Sequence, residues 1–461
     1  MSYQSSTCSC TVWLREDSTI NIQELAHRME SGDARVECGS TRVKSGWLAR
    51  MLREALGAVR EAAIRHREFV HRAYKLKIES LPPRLGRDTA RTGQWVGLIE
   101  YSDGRECIQV VIEPKYGDFH RVYEEVVSTS PRIAESLALA VAGLHLGSIG
   151  RMHSLNIALW ILDEYASKNP PYRVAEERYT LPLLPASVAP VVRRIMHNEK
   201  YYATLAVSMA VISRALAQPS GLPQSPLIDS MARIYTGWQR RLTTYIASRP
   251  QVAEALRGPW REEPELDTIL EALAAIQRPP SPQGAGQARM MLTPAPKVYE
   301  VYVLLKTLEA LSMRHGRLRS RSLRWFRVES PSRTVNVYYN RPPPEASRLV
   351  YRVTGSRPHP DILLEYSTGT RIVVDAKYRL GLALSGRAGA GRRLELKEAL
   401  RLLGYLADLA HDGALRAVLA VPSKTEESAS LAAALDGIGI QIDVAEVNPR
   451  VGPRDLAQLL P

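Results

Sequence analysis

Two aspartates and a lysine in the last quarter of the chain have the residue types and spacing for hydrolysis of a phosphodiester. Asp361 follows Pro360 and opens the run Ile-Leu-Leu-Glu-Tyr. Asp375 closes the apolar run Ile372, Val373, Val374 and is followed by Ala376, Lys377 and Tyr378. The two runs read as strands joined by the turn Ser367-Thr-Gly-Thr370, so both carboxylates can reach one place from neighbouring strands. Strand side chains alternate faces, which puts Asp375 and Lys377 on the same side of the sheet. Breaking a phosphodiester calls for a divalent cation that neutralises the phosphate and acidifies the attacking water. Mg²⁺, with Mn²⁺ as a substitute, takes hard oxygen ligands, here the carboxylates of Asp361 and Asp375 and the backbone carbonyl of Ala376. Lys377 would then orient the water or stabilise charge growing on the phosphate. Asp-x-Lys alone is a common tripeptide, and the competing reading is a buried ion pair on an ordinary strand. The preceding Pro-Asp strand and the hairpin favour the site.

A third carboxylate is expected from Glu300 in the helical stretch Lys297–Leu311. Val303, Leu304 and Leu308 follow it at three, four and eight positions, so Glu300 projects from the apolar face. A glutamate favoured by the helix dipole is the alternative. Beyond that helix, Arg314, Arg317, Arg319, Arg321, Arg324 and Arg327 crowd around Trp325 and Phe326. Such a strip could grip DNA phosphates, with a solvated charged face as the other reading. No helix-turn-helix, zinc-finger or Walker signature is present.

The elements that must hold these residues form an α/β domain with a mixed sheet over 297–461. The patterning predicts helices at 297–313, 393–411 and 426–437. It predicts strands near 322–329, 333–340, 348–354, 361–367, 371–379, 416–421 and 439–446. Residues 1–125 read as an α+β domain with a small sheet. It has a helix over Trp47–Arg72 and a strand pair around the turn Ser102-Asp-Gly-Arg105. Residues 126–277 read as a helical spacer, with helices expected at 131–147, 152–167, 186–216, 227–246 and 263–277. The Pro, Gly and Ser content of Arg278–Gly286 marks 278–296 as a linker.

The chain of 461 residues is 45% hydrophobic and 24% charged, a globular rather than a disordered composition. Lysine and arginine number 61 against 48 acidic residues, a formal charge of +13 that suits an anionic partner such as DNA. No apolar run is long enough to span a bilayer and the first residues lack a signal-peptide pattern, so a cytoplasmic protein with no membrane role is expected. The four cysteines, Cys8, Cys10, Cys38 and Cys107, fit a reducing compartment better than a disulfide framework, and no zinc-site spacing accompanies them.

Three stretches together resemble the McrC family, the nuclease subunits of McrBC modification-dependent restriction systems, within the PD-(D/E)XK nuclease superfamily. Val96-Gly-Leu-Ile-Glu followed by Val111-Ile-Glu-Pro-Lys-Tyr-Gly117 is similar to the family's N-terminal module. Tyr299-Glu300-Val-Tyr302 resembles its Tyr-Glu-hydrophobic-Trp helix start, with Tyr302 where Trp is common. Pro360-Asp361 with Asp375-Ala-Lys-Tyr378 resembles the nuclease signature. The resemblance implies a restriction-endonuclease-like C-terminal fold and Mg²⁺-dependent DNA cleavage in a restriction or defence complex. It also implies an N-terminal domain docked on a AAA+ GTPase partner of the McrB type. By the same resemblance Arg401, where Gln is frequent, and Tyr405 on the helix after the Asp-x-Lys strand would support the site. A nuclease acting alone in repair or recombination, and a non-catalytic scaffold for an ATPase, are the alternatives.

Overall fold

A computed structural model describes residues 8–31, 34–39, 44–74, 78–133, 159, 161–178, 191–215, 221–268, 287–322, 325–329, 333–340, 342–347, 350–355, 359–378, 396–409, 415–424 and 440–461. Two compact units emerge. The first comprises Met1–His145, Ser220–Ser230 and Ser281–Pro461, and the second Leu146–Pro219 and Met231–Pro280.

The N-terminal part of the first unit is built on β1 (Cys10–Arg15), β2 (Thr19–Asn21), α1 (Ile22–Arg28), β3 (Glu30–Ser31), β4 (Ala34–Cys38) and α2 (Ser45–Tyr74). It continues through β5 (Arg84–Leu85), β6 (Thr89–Arg91), β7 (Trp95–Ser102), β8 (Cys107–Glu113) and α3 (Phe119–Ile133). Asn21 caps α1 by accepting from the amides of Gln23 and Glu24. The apolar stripe of α2 is buried at Leu48, Met51, Leu52, Leu56, Val59 and Ala63, as its helical spacing requires. β7 and β8 pair in register from Gly97 with Ile112 to Ser102 with Cys107, and β1 runs parallel to β8. In the tight turn between β7 and β8, Asp103 accepts from the amides of Arg105 and Glu106.

The cysteines depart from expectation. Disulfides join Cys8 to Cys107 and Cys10 to Cys38. Cys10 faces Cys38 across the β1–β4 ladder, and the Ser9 amide donates to the Cys107 carbonyl, so β1 is stapled to both neighbours. Pairing of this kind depends on sheet register, which sequence spacing does not reveal. The scarcity of cysteine therefore no longer argues for a reducing compartment.

The second unit holds an antiparallel pair, β9 (Tyr172–Arg178) and β10 (Val191–His197), followed by α4 (Glu199–Ala215), most of α5 (Pro226–Ser248), and α6 (Pro250–Ala255). The helix expected over 186–216 is thus cut short at its start, because Val191-Val-Arg-Arg-Ile-Met pairs with β9 instead. Most of the helices expected at 131–147 and 263–277 lies outside the described residues.

Gln287–Pro294 is not linker but β11, which pairs antiparallel with β7 and completes a sheet of order β11-β7-β8-β1-β4-β3. Its apolar core, Met290, Met291 and Leu292, is buried there. Gly97 makes this pairing possible: its φ is +129, and a Cβ at this position would stand 1.9 Å from the Met291 carbonyl oxygen. The Pro-rich part, 278–286, lies outside the described residues.

From β11 the chain enters α7 (Ala295–His315) and then β12 (Arg317–Ser322), β13 (Trp325–Glu329), β14 (Thr334–Tyr339), α8 (Val350–Thr354), β15 (Ile362–Tyr366) and β16 (Arg371–Ala376). It ends with α9 (Leu396–Leu409), β17 (Leu415–Val421), β18 (Ile440–Glu446) and α10 (Arg454–Leu459). The seven strands lie in sequence order, antiparallel up to β16 and parallel from β16 to β18. Leu363, Val373, Leu402, Leu406, Leu419 and Ile442 form a buried cluster between this sheet and α9, while α7 packs against β13, β14 and β16. Residues 350–354, expected as a strand, are helical. The Ser347 hydroxyl accepts from the Tyr351 amide and Asp408 accepts from the Val350 amide, capping a helical turn that β-branched residues alone would not favour. β12 places arginine at every second position, Arg317, Arg319 and Arg321, but alternates them with Leu318 and two serines instead of an apolar face, and it starts before the strand expected near 322. The helix expected at 426–437 lies outside the described residues.

Candidate active site

The carboxylates meet where β15 begins and β16 ends. The Ala376 amide donates to Asp361 Oδ2 at 2.8 Å, and the Asn340 amide donates to the Asp361 carbonyl at 3.0 Å. The Lys377 amide donates to the Ala420 carbonyl at 2.8 Å, fixing the end of β16 on β17. Asp375 and Lys377 share a face, as strand alternation requires, and both are buried, at 1% and 6% exposure. Lys377 Nζ stands 2.7 Å from Asp375 Oδ2, and an Arg401 guanidinium nitrogen stands 3.6 Å from Asp375 Oδ1. Despite these charges, neither Asp375 oxygen accepts a directed hydrogen bond. Burial pushes the Asp361 carboxyl well above the usual carboxylate range. The charges of Glu300 and Asp375 push it further up, against the pull of Lys377 and the Ala376 amide.

Glu300 takes part through this charge and through its own partners. Its Oε1 accepts from Lys297 Nζ at 2.6 Å and from the Asn340 side-chain amide. Tyr405 does not touch the carboxylates. Its hydroxyl, whose ionisation burial opposes, donates to the His359 carbonyl at 2.9 Å and so secures the segment leading into Pro360-Asp361. Arg401 bridges Asp375 to Glu79 at 3.1 Å. The Ala376 amide, whose residue's carbonyl is the anticipated ligand, holds Asp361 Oδ2.

The arginine strip is not part of this cluster. Arg317, Arg319 and Arg321 lie on β12, an edge strand separated from β15 and β16 by two others. Arg319 and Arg327 both lie near Glu329, at 3.3 and 2.9 Å, so one carboxylate is shared between two guanidinium groups. Arg324 lies outside the described residues.

Among the described residues no three His, Cys, Asp or Glu side chains converge closely enough to hold a metal ion as they stand. The donor chemistry nonetheless fits a hard cation: the buried Asp375 carboxylate, with no accepted hydrogen bond at either oxygen, lies beside the half-buried carboxylates of Asp361 and Glu300.

No protein-family model matches the chain, and neither does any curated protein. Among solved structures it is similar to a chain in a half-complex of Thermococcus gammatolerans McrB AAA+ hexamers with bound McrC, at 12% identity and a TM-score of 0.38, covering 90% of this chain and 88% of that one. It is also similar to a chain of the Thermococcus gammatolerans McrBC complex, at 9% identity and a TM-score of 0.19, covering 65% of this chain and 88% of that one. Both scores lie below the level at which a shared fold follows. Among the described residues no helix is long and apolar enough to cross a membrane.

Several residues around the carboxylates escaped the sequence. Lys297, only 1% exposed, sits one helical turn before Glu300, a spacing that could have flagged it. Asn340 holds a left-handed backbone, with φ of 57, that Asn tolerates better than most residues. Its position after Tyr338 and Tyr339, just before Arg341-Pro-Pro, was a turn signal. Glu79 carried no signal at all.

Proposed function

We propose that the chain is a metal-dependent deoxyribonuclease of the PD-(D/E)XK type, an McrC-like subunit that cuts DNA in concert with a McrB-like AAA+ GTPase. The observation that carries the nuclease reading is the buried pair Asp375–Lys377 beside Asp361, with charges that an ordinary strand end would not hold out of water. Asp361 and Asp375, with Glu300, would hold Mg²⁺ or Mn²⁺. When bound, the ion supplies charge neutralisation at the phosphate and a more acidic water. Lys377, released from Asp375, is placed to donate a hydrogen bond to that water or to a phosphate oxygen. Arg401 adds a second positive charge against the developing phosphorane. The Ala376 amide holds Asp361, and Tyr405 holds the segment before it.

Purified protein incubated with supercoiled plasmid and Mg²⁺ or Mn²⁺ should nick or cut it, and Asp375→Ala and Lys377→Ala should each lower the rate by about a thousandfold or more, some 4 kcal/mol of barrier. Cleavage that survives both substitutions would remove the site. The partner rests on the sequence resemblance alone. Co-purification with a AAA+ protein that hydrolyses GTP and speeds cleavage supports it, and unchanged cleavage with every such candidate favours a nuclease acting alone.

A further inference from the structure

Glu16, the residue after β1, is fully buried although it carries a carboxylate. Burial of that group is tolerable only where hydrogen bonds replace water. Its Oε2 accepts from the Lys115 amide at 3.3 Å and from the Tyr378 hydroxyl at 3.0 Å. Tyr378 immediately follows Lys377. Its buried ring lies edge-on to Phe119 of α3, with centroids 5.9 Å apart, and 5.8 Å from Tyr299 of α7, the neighbour of Glu300. Tyr299 is itself fixed, since its hydroxyl donates to the Val447 carbonyl at 3.0 Å. The strand end that carries Asp375 and Lys377 is therefore held by a side chain whose polar tip docks on the N-terminal sheet. A second contact runs the same way, from Glu79 through Arg401 to Asp375.

We propose that Glu16 is a positioning residue for the Asp375–Lys377 pair, acting through Tyr378, so that the N-terminal sheet completes the cutting centre instead of serving only as a docking module. This rests on the nuclease reading for its consequence in catalysis, but the mechanical link stands on the contacts themselves. A hydrogen-bond acceptor is what the link requires, and a glutamine oxygen can supply it.

The test uses the full chain, with Tyr378→Phe, Glu16→Gln and Glu16→Ala, and two measurements. Amide hydrogen exchange reads the mobility of residues 375–377, and Mn²⁺-dependent cleavage of a DNA duplex is resolved into kcat and KM. Loss of this buried hydrogen bond should raise exchange at 375–377 about tenfold in Tyr378→Phe and Glu16→Ala, and lower kcat about as much with KM nearly unchanged. Exchange in β13 should stay as in the wild type, and Glu16→Gln should stay close to wild type in both measurements. If Glu16→Ala fails to fold, the conservative Tyr378→Phe decides. Wild-type exchange and kcat in Tyr378→Phe overturn the proposal. So does exchange that rises evenly across both sheets, which is the mark of a merely structural role, or a Glu16→Gln as impaired as Glu16→Ala. Should the wild-type chain never cut DNA, the nuclease reading falls, and the exchange result still supports or overturns the link by the same criteria.

Discussion

Replacing Asp361 by Asn should make the chain more stable while it ends cleavage. The Asp361 carboxyl is held well above the usual range, chiefly by burial and then by the charges of Glu300 and Asp375. In the unfolded chain an aspartate ionises near 3.9, so between that value and its raised folded value the folded state keeps a proton that the unfolded state releases. Stability therefore falls as pH rises through this window. Each pH unit costs at most about 1.4 kcal/mol, so at pH 7 the group can cost no more than about 4 kcal/mol. Asn removes the ionisation, keeps the size, and retains an oxygen to accept the Ala376 amide that now donates to Asp361. The expected gain is nil near pH 4 and grows toward pH 7, where it is at most about 4 kcal/mol. Two compact units make a single unfolding midpoint ambiguous. The measurement is therefore hydrogen exchange of the β15 and β16 amides between pH 4.5 and 7.5, corrected for intrinsic rates and made without divalent ions. If the proposed site holds Mg²⁺, the saturating ion should narrow the gap, because it would bind only the carboxylate form of the folded wild type. A variant that gains nothing at pH 7, or gains equally at all pH values, would show that Asp361 is not a desolvated acid beside other acids.

Asn340 offers a second test, because Asn340→Gly loses only the side-chain bond to Glu300 whereas Asn340→Ala also forces alanine into the left-handed region. The glycine variant should be the more stable by about 1 to 2 kcal/mol in hydrogen exchange of the β14 and β15 amides, and both should cut more slowly. Equal stabilities would refute the strain argument. Of the two disulfides, Cys8–Cys107 spans 99 positions and Cys10–Cys38 spans 28. Removing the longer as a double serine variant should cost about 1 kcal/mol more than removing the shorter, on loop entropy alone. Hydrogen exchange of the β1, β4 and β8 amides in the two variants ranks them, and the reverse order would show that strand pairing rather than chain closure sets the loss.

The carboxylate pair was legible because its chemistry is local. Asp361, Asp375 and Lys377 sit on two strands joined by a short hairpin, and alternation along β16 suffices to aim Asp375 and Lys377 alike. Long helices were legible for the same reason: the stripe of α2 and the apolar body of α7 repeat within a few residues. Elements decided by distant partners were not. Gln287–Pro294 follows a Pro-rich stretch and becomes a strand only because β7 offers an edge and Gly97 lets it approach. Val350–Thr354 has strand-forming residues, and its helical turn is imposed by Asp408 far along the chain.

The same division bears on the arginine strip and explains why Glu16 stayed hidden. A run of like charge is visible in sequence, but its meaning depends on where the counter-charges lie. Glu329 draws both Arg319 and Arg327 on the strand pair farthest from the carboxylates. Glu16 looks like any polar residue at a strand end until β1 is placed beside β8 and α3 brings Phe119 against Tyr378. Residues that make and break bonds must be adjacent to one another and so leave short motifs. Residues that hold them in place need only be adjacent in space, and the N-terminal sheet reaches the Asp375 strand from more than three hundred positions away. Cutting the chain at its Pro-rich segment by composition would therefore separate the proposed catalytic groups from part of what positions them.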